Sequence, residues 1–255
     1  MTKISIITVV YNGDKTLGDT FRSIQSQRDI DLEYLVIDGA STDNTSQIIK
    51  DQMDHINVLV SEPDNGIYDA MNKGLKLATG EIIGFLNADD VYQGDDVLNK
   101  VMKIFEENPH IDLVYGDLVY VKTNDLTKTV RYWKSKEYSA KFFADGLVPP
   151  HPSFFVRKRA YDLVGNFNLQ FRFAADYEIM FRLLKIYNRV SFYLPEVLVR
   201  MRLGGTTNNS VSNVLKGNIE IKKAWLLHKQ PIPRSFWVKR NMLKIFQFIK
   251  KNHRN

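Results

Sequence analysis

Hydrophobic positions come in short, dense runs over the first ninety residues, and each run stops on a polar or acidic turn. Ile4–Val10 is apolar and rich in β-branched residues, which predicts a strand buried on both faces. Tyr11-Asn12-Gly13-Asp14 turns the chain, and Asp14 is placed to cap a helix carrying Leu17, Phe21 and Ile24 at helical spacing. Glu33–Asp38 is a second strand ending on an acid. Residues 39–45 form a loop and helix start that leads to Ile48 and Ile49. Ile56–Val60 is a third strand. Ile67–Leu77 is a helix with Ala70, Gly74 and Leu77 on one side. Ile82–Leu86 is a fourth strand, and it stops on Asn87-Ala88-Asp89-Asp90. This alternation predicts an α/β fold: a mostly parallel central sheet with right-handed crossovers and helices on its faces.

Beyond it, 95–107 reads as a helix striped by Val97, Val101, Ile104 and Phe105. Asp112–Val121 and Thr129–Trp133 form a hairpin around Asn124-Asp125. From there the βα rhythm is gone. Val148-Pro149-Pro150-His151-Pro152 is a rigid extended segment, followed by a short strand at Ser153–Val156. Asp176 opens a periodic helix carrying Ile179, Met180, Leu183, Leu184 and Ile186. Val190–Leu194 and Val197–Leu203 read as two further strands. The expected division is a nucleotide-binding half over 1–110, a partner-substrate half over 111–205, and a basic helical extension over 206–255.

Composition changes the picture at the C-terminus. The net charge of +6 is uneven: ten Lys and Arg and no acid follow Glu220. Residues 1–220 hold 25 basic and 29 acidic residues, a balance of −4, so a nucleic-acid partner inferred from overall charge is excluded. In the tail, Val238, Met242, Ile245 and Ile249 follow helical spacing, with Phe246 beside them and Trp237 at the entry. Lys239, Arg240, Lys244, Lys250, Lys251 and Arg254 flank them. Such a helix suits peripheral contact with an anionic membrane. The plain alternative is an apolar face packed on its own domain or on a second subunit, a homodimer. With no cysteine there is no disulfide framework, and no opening run is long enough for a signal or a spanning helix. The expected location is cytoplasmic, at the inner face of the membrane if the tail docks.

The candidate chemistry is acidic. Asp89 and Asp90 stand at the C-terminal end of a strand, where open α/β sheets bind ligands. Adjacent carboxylates suit Mg2+ or Mn2+; the plain alternative is a helix cap. No dinucleotide loop and no GxxxxGK[ST] loop occurs, so a metal on Asp89 and Asp90 is the natural holder of phosphates. Tyr11 is suited to stack on a base and Asp38 to accept from a base N–H, against plain roles as a surface tyrosine and a cap. Asp176 and Glu178 open a helix, where acids are ordinary.

The ordered set Ser5–Asn12, Val36–Thr45, Asp64–Gly74 and Phe85–Asp90 resembles glycosyltransferase family 2 over roughly residues 3–205. The resemblance implies the GT-A fold, inverting transfer, and a subgroup serving bacterial O-antigen and capsule assembly. It implies that Thr8, Tyr11 and Asp38 hold the uridine of a UDP-sugar. Val9, Asp64, Asn72, Asn87 and Ala88 join the donor side. It places Asp89 at the ribose and metal, and Asp90 at the metal and diphosphate, with Mn2+ or Mg2+ as cofactor. Asn87 stands where the family has its first acid, and Met71 where many relatives carry Arg. Asp176 matches the general base, with Glu178 as second candidate. His151 lines the acceptor side, and Arg200 and Arg202 meet the diphosphate when the following loop closes. The implied function is transfer of a hexose or N-acetylhexosamine to a saccharide acceptor on a lipid carrier. The competing classes are a nucleotidyltransferase that makes nucleotide sugars and a non-catalytic scaffold that kept the fold.

Overall fold

The computed structural model describes residues 2–204 and 211–249. Gly205-Thr206-Thr207, Lys250, Lys251 and Arg254 lie outside the described residues, as do the side chains of Lys244, Ile245, Phe246 and Ile249.

The first half follows the hydrophobic pattern. β1 (Lys3–Val10), α1 (Leu17–Gln25), β2 (Asp31–Asp38), α2 (Thr45–Lys50), β3 (Val58–Ser61), α3 (Ile67–Leu77) and β4 (Ile82–Phe85) succeed one another. The four strands run parallel in the order β3-β2-β1-β4. β1 is buried on both faces, which explains its unbroken apolar run. Ile4, Ile6 and Val10 join the layer containing Leu17 and Phe21, while Ile7 and Val9 join that containing Ala70 and Met71. Two local expectations fail. Thr16, not Asp14, caps α1, and without a side-chain bond; the Asp14 amide instead donates to Asp43 Oδ2 at 3.2 Å. Leu77 is exposed, because the buried face of α3 is carried by Tyr68, Ala70, Met71, Gly74 and Leu75.

The second half departs from the βα rhythm. β5 (Val91–Tyr92) and α4 (Val97–Glu107) precede the hairpin β6 (Leu113–Lys122) and β7 (Asp125–Trp133). β8 (Phe154–Arg157) inserts antiparallel between β4 and β6. α5 (Lys158–Val164) and α6 (Ala175–Phe181) follow, and α6 widens into a π-turn over Arg182–Ile186. The two strands expected around Pro195 are a single one, β9 (Ser191–Arg202), parallel to β6 and antiparallel to β5. The sheet is therefore parallel in its first half and mixed in its second, in the order β3-β2-β1-β4-β8-β6-β9-β5.

α7 (Val211–Leu227) and α8 (Phe236–Ile249) close the fold. Ile221, Ala224, Trp225 and Phe236 are buried in the cluster that holds Tyr177, Phe181 and Leu184 of the α6 region. The helices after residue 206 thus pack on the body. Only one face of each is covered. Leu215, Ile219, Leu226, Val238 and Met242 are 49–67% exposed, far more than a packed apolar side chain.

Gly74 sets how closely α3 lies on the sheet. A Cβ there would sit 2.5 Å from Ile7 Cγ2 and 3.3 Å from Ile37 Cγ1. Helix propensity favours alanine over glycine by about 1 kcal/mol, whereas overpacking a well-filled core costs roughly 1–3 kcal/mol. Gly74→Ala is expected to lower the urea midpoint, with a net loss of about 1 kcal/mol. A variant as stable as the parent would contradict this close approach.

Candidate active site

The C-terminal ends of β1, β2 and β4 converge on one cleft. The turn after β1 and the loop after β2 are laced together. The Asn12 amide donates to Ser41 Oγ at 2.8 Å, Thr42 N–H donates to Asn12 Oδ1 at 2.9 Å, and Gly13 N–H donates to Thr45 Oγ1 at 2.8 Å. Asp38 is buried. Its Oδ1 accepts from the Ser41 amide and hydroxyl at 3.1 and 2.5 Å, and its Oδ2 from Ser61 Oγ at 2.6 Å. Its carboxylate braces the loop. Asp64 accepts the Gly66 amide on Oδ1 at 2.8 Å, and Gly66 turns there at φ 109°. Asp64 Oδ2 lies so close over Gly39 that a Cβ at 39 would overlap it, and that Cβ would be 3.5 Å from the Tyr11 ring. Tyr11 is exposed. Tyr11, Gly39 and Asp64 therefore frame a shallow recess with a ring on one side and a carboxylate on the other.

Several expected donor residues are turned elsewhere. Thr8 is buried, and its Oγ1 accepts the Tyr34 hydroxyl at 3.0 Å. Val9 and Met71 are buried in the layer beside α3, so Met71 contacts core rather than base. Asn72 clamps the Phe167 backbone, donating from Nδ2 to its carbonyl and accepting its N–H on Oδ1, both at 2.9 Å.

The acidic loop after β4 is split by burial. Asp90 N–H donates to the Asn87 carbonyl at 3.0 Å, and Thr20 Oγ1 donates to the Asp90 carbonyl at 2.8 Å. Asp90 is wholly enclosed, and neither carboxyl oxygen has a partner of ordinary hydrogen-bond geometry. Burial, and then the Asp89 charge, push this carboxyl well above the usual carboxylate range. Asp89 and Asn87 are half-buried, while Ala88 is buried beside Gly13. Burial raises Asp89 too, against the opposing charge of Arg202. Asp90, expected as a metal and diphosphate ligand, has both carboxyl oxygens enclosed among the described residues.

Arg202, expected at the diphosphate, is engaged within the fold. It is buried and committed: Nη1 donates to the Asp89 carbonyl at 2.7 Å, Nε to the Thr123 carbonyl at 3.0 Å, and Nη2 to Asp19. Arg200 donates to Gln93 Oε1 at 2.7 Å and to the Leu126 carbonyl at 3.2 Å. Both are structural pins along β9. Glu178 is enclosed between Arg182, at 2.8 Å, and His228, at 2.7 Å, and cannot act on a substrate.

Asp176 stays in play. It is half-buried at the start of α6. Its Oδ1 accepts the Tyr68 hydroxyl at 3.1 Å and the Tyr177 amide at 2.8 Å, while Oδ2 accepts nothing from the described residues. Tyr68 stacks on Phe167 at 5.8 Å. Phe167 meets His151 edge-on, and His151 stacks on Phe85 at 5.5 Å. Burial pushes the His151 imidazole below its ordinary value, against the pull of Asp176, and its Nε2 is enclosed without a partner. Tyr120 lies buried in β6. Burial pushes its hydroxyl up to about 12; Arg131 opposes the shift, and the charges of Asp90 and Asp176 add to it. Trp133 stacks on Tyr120 at 6.3 Å, with the Arg131 guanidinium 4.7 Å from the Tyr120 ring. Tyr68 and Tyr120 escape sequence reasoning, because each sits in an apolar run that reads as core.

The family model described as Glycosyl transferase family 2 matches residues 5–165. A PGL/p-HBAD biosynthesis glycosyltransferase of Mycobacterium bovis is 30% identical over 210 residues, covering 81% of this chain and 79% of that one. Among solved structures, S. aureus TarS 1-349 in complex with UDP superposes with a TM-score of 0.68 at 20% identity, over 96% of this chain and 70% of that one. Mannosyltransferase PcManGT from Pyrobaculum calidifontis, in complex with GDP-Man and Mn2+, gives 0.67 at 16% identity, over 95% and 70%. These two likenesses give the same fold: a curled central sheet flanked by helices.

The enclosure of Asp90 yields a pH test. Its folded value lies above the unfolded one, so the group favours the fold at low pH. It costs stability as pH rises through the interval between the two values. Asp90→Asn is therefore expected to melt above the parent at about pH 8, the gap shrinking toward about pH 4. A gap independent of pH, or a variant less stable at the alkaline end, would contradict the assignment.

Proposed function

This chain belongs to glycosyl transferase family 2, and on that premise we propose that it transfers a hexose or N-acetylhexosamine from a UDP-sugar to a saccharide hydroxyl with inversion. The observation that carries the proposal is Asp176: one oxygen is held by Tyr68 and by the first turn of α6, and the other accepts nothing from the described residues. In this reading the acceptor oxygen attacks the anomeric carbon as its proton passes to Asp176 Oδ2. The bond from that carbon to the diphosphate breaks with its electron pair, and UDP leaves. An α-linked donor then gives a β-linked product.

On the donor side, Tyr11 would stack on the base. Asp64, rather than Asp38, would accept the base N–H, since Asp38 is occupied by Ser41 and Ser61. The UDP complex of the structural neighbour supports a nucleotide-diphosphate sugar. Among the described residues no three His, Cys, Asp or Glu side chains converge as a metal cage. Asp89, with the Asn87 amide oxygen beside it, nevertheless fits a Mn2+ or Mg2+ ion of the kind held by one or two carboxylates plus substrate phosphates. Bound there, such an ion would neutralise the departing diphosphate.

Asp176→Asn is expected to keep the melting shift given by UDP-sugar and Mn2+ while losing at least about a hundredfold in turnover. Asp89→Ala should weaken that shift. Turnover near the parent's in Asp176→Asn would remove Asp176 from the mechanism. Products separate the rival classes: a transferase releases UDP, a nucleotidyltransferase diphosphate, a scaffold neither.

A lipid-linked acceptor in surface polysaccharide assembly is the context we propose, with the enzyme docked peripherally at the cytoplasmic membrane face. The support is the outward face of α7 and α8. Leu215, Ile219, Leu226, Val238 and Met242 are exposed, and so are the basic residues Lys222 and Lys229 of the same segment. No described helix is long and apolar enough to cross a membrane. Apolar side chains with basic neighbours suit an anionic interface. The paired change Val238→Asp with Met242→Asp, at positions outside the core, is expected to abolish salt-sensitive flotation with anionic vesicles. Flotation unchanged by the pair, or equal on neutral vesicles, would refute the docking.

A further inference from the structure

α6 is a short helix that carries the proposed base, and it lacks a cap of its own. Its N-cap residue is Ala174, which has no side-chain acceptor, and the helix runs only to Phe181 before it widens. The three amides that lead into it are those of Arg172, Phe173 and Ala174. All three donate to one carboxylate, that of Glu220, at 2.9, 2.8 and 2.9 Å. Glu220 lies on α7, 46 to 48 residues downstream of them. It is also the last acid in the sequence.

The same helix grips the same segment at neighbouring points. Trp225 Nε1 donates to the Tyr177 hydroxyl at 2.8 Å. Lys223 Nζ donates to the Gln170 carbonyl at 3.2 Å and lies 5.0 Å from the Phe171 ring centre. Lys216 lies 5.7 Å from the ring centre of Phe173. From α8, Arg240 sits 5.6 Å from the Tyr177 ring centre. Each of these bonds or contacts meets the chain between Gln170 and Tyr177, on either side of Asp176. Carboxylate bonds to amides are stronger than neutral ones, and they act here within two to four residues of the group that must be aimed.

We propose that Glu220 is the positioning residue of Asp176: by gathering the three amides at the entry of α6 it fixes where the base carboxylate points, so the C-terminal helices are part of the catalytic half. The proposal rests on the reading of Asp176 as the base. In these bonds Glu220 touches backbone alone.

The test compares Glu220→Ala and Glu220→Gln with the parent in the full-length protein, with Asp176→Asn measured alongside. Each is assayed for UDP release and for the melting shift given by UDP and Mn2+. Loss of aim should lower kcat about tenfold or more in Glu220→Ala while the donor KM and melting shift stay within about twofold. Glu220→Gln keeps the volume and one acceptor oxygen, so it should fall between the two; it carries the test if the alanine variant does not fold. Unchanged kcat would overturn the proposal. So would equal losses in kcat and donor binding, or failure of both variants to fold, because Glu220 would then support the domain at large rather than one carboxylate. Should Asp176→Asn keep its turnover, the base assignment fails by itself, whatever the Glu220 variants do.

Discussion

The site depends first on the buried guanidinium of Arg202. It reaches three separate parts of the chain: Asp19 of α1, the Asp89 carbonyl of the acidic loop, and the Thr123 carbonyl of the β6–β7 turn. The donor side and the acceptor side meet at this residue. A buried arginine is tolerated only when its donors are paired, and each pairing here also fixes a piece of the cleft. Its charge lies nearest the two acids of the loop and opposes the rise of both. Arg202 thus acts on the donor site from behind, without facing it. Asp90 sits in the same enclosed layer, which leaves Asp89 as the carboxylate presented to the cleft.

The acceptor side is built by a second set of long-range contacts. Tyr68 from α3 holds Asp176, Asn72 one turn later holds Phe167, and Phe167 packs on Tyr68 and His151. From the other direction α7 and α8 hold the entry of α6 with their inner faces. Their outer faces remain apolar and basic. One pair of helices therefore has two surfaces, an inner one packed against the segment that carries Asp176 and an outer one left exposed.

How much of this could be read from the chain follows from where the information resides. β1, β2, α3 and β4 were legible because burial on one or both faces writes itself into local hydrophobic spacing. The antiparallel insertion of β8 was not, since strand direction depends on partners distant in sequence, such as Ile83 for Val156 and Val114 for Phe155. Asp89 and Asp176 were legible as acids at element ends. Their companions were harder. Asp38, Asn72, Arg200 and Arg202 are the polar residue types that bind ligands, yet here Ser41, Phe167, Gln93 and Asp89 occupy them. Spacing cannot tell a side chain free to bind from one already engaged. Tyr68 and Tyr120 are both core, but the Tyr68 hydroxyl also donates to Asp176. Glu220 carries no local signal of its role, since the amides it accepts lie in another element.

The central claim is a single displacement with Asp176 taking the acceptor proton on the face opposite the departing diphosphate. The most direct measurement is the anomeric configuration of the product, read by proton NMR from the coupling at the new linkage when an α-linked UDP-glucose or UDP-N-acetylglucosamine is the donor. The account predicts a β-linkage. An α-linkage would mean two displacements or front-face attack, and would contradict a mechanism built on one base at Asp176.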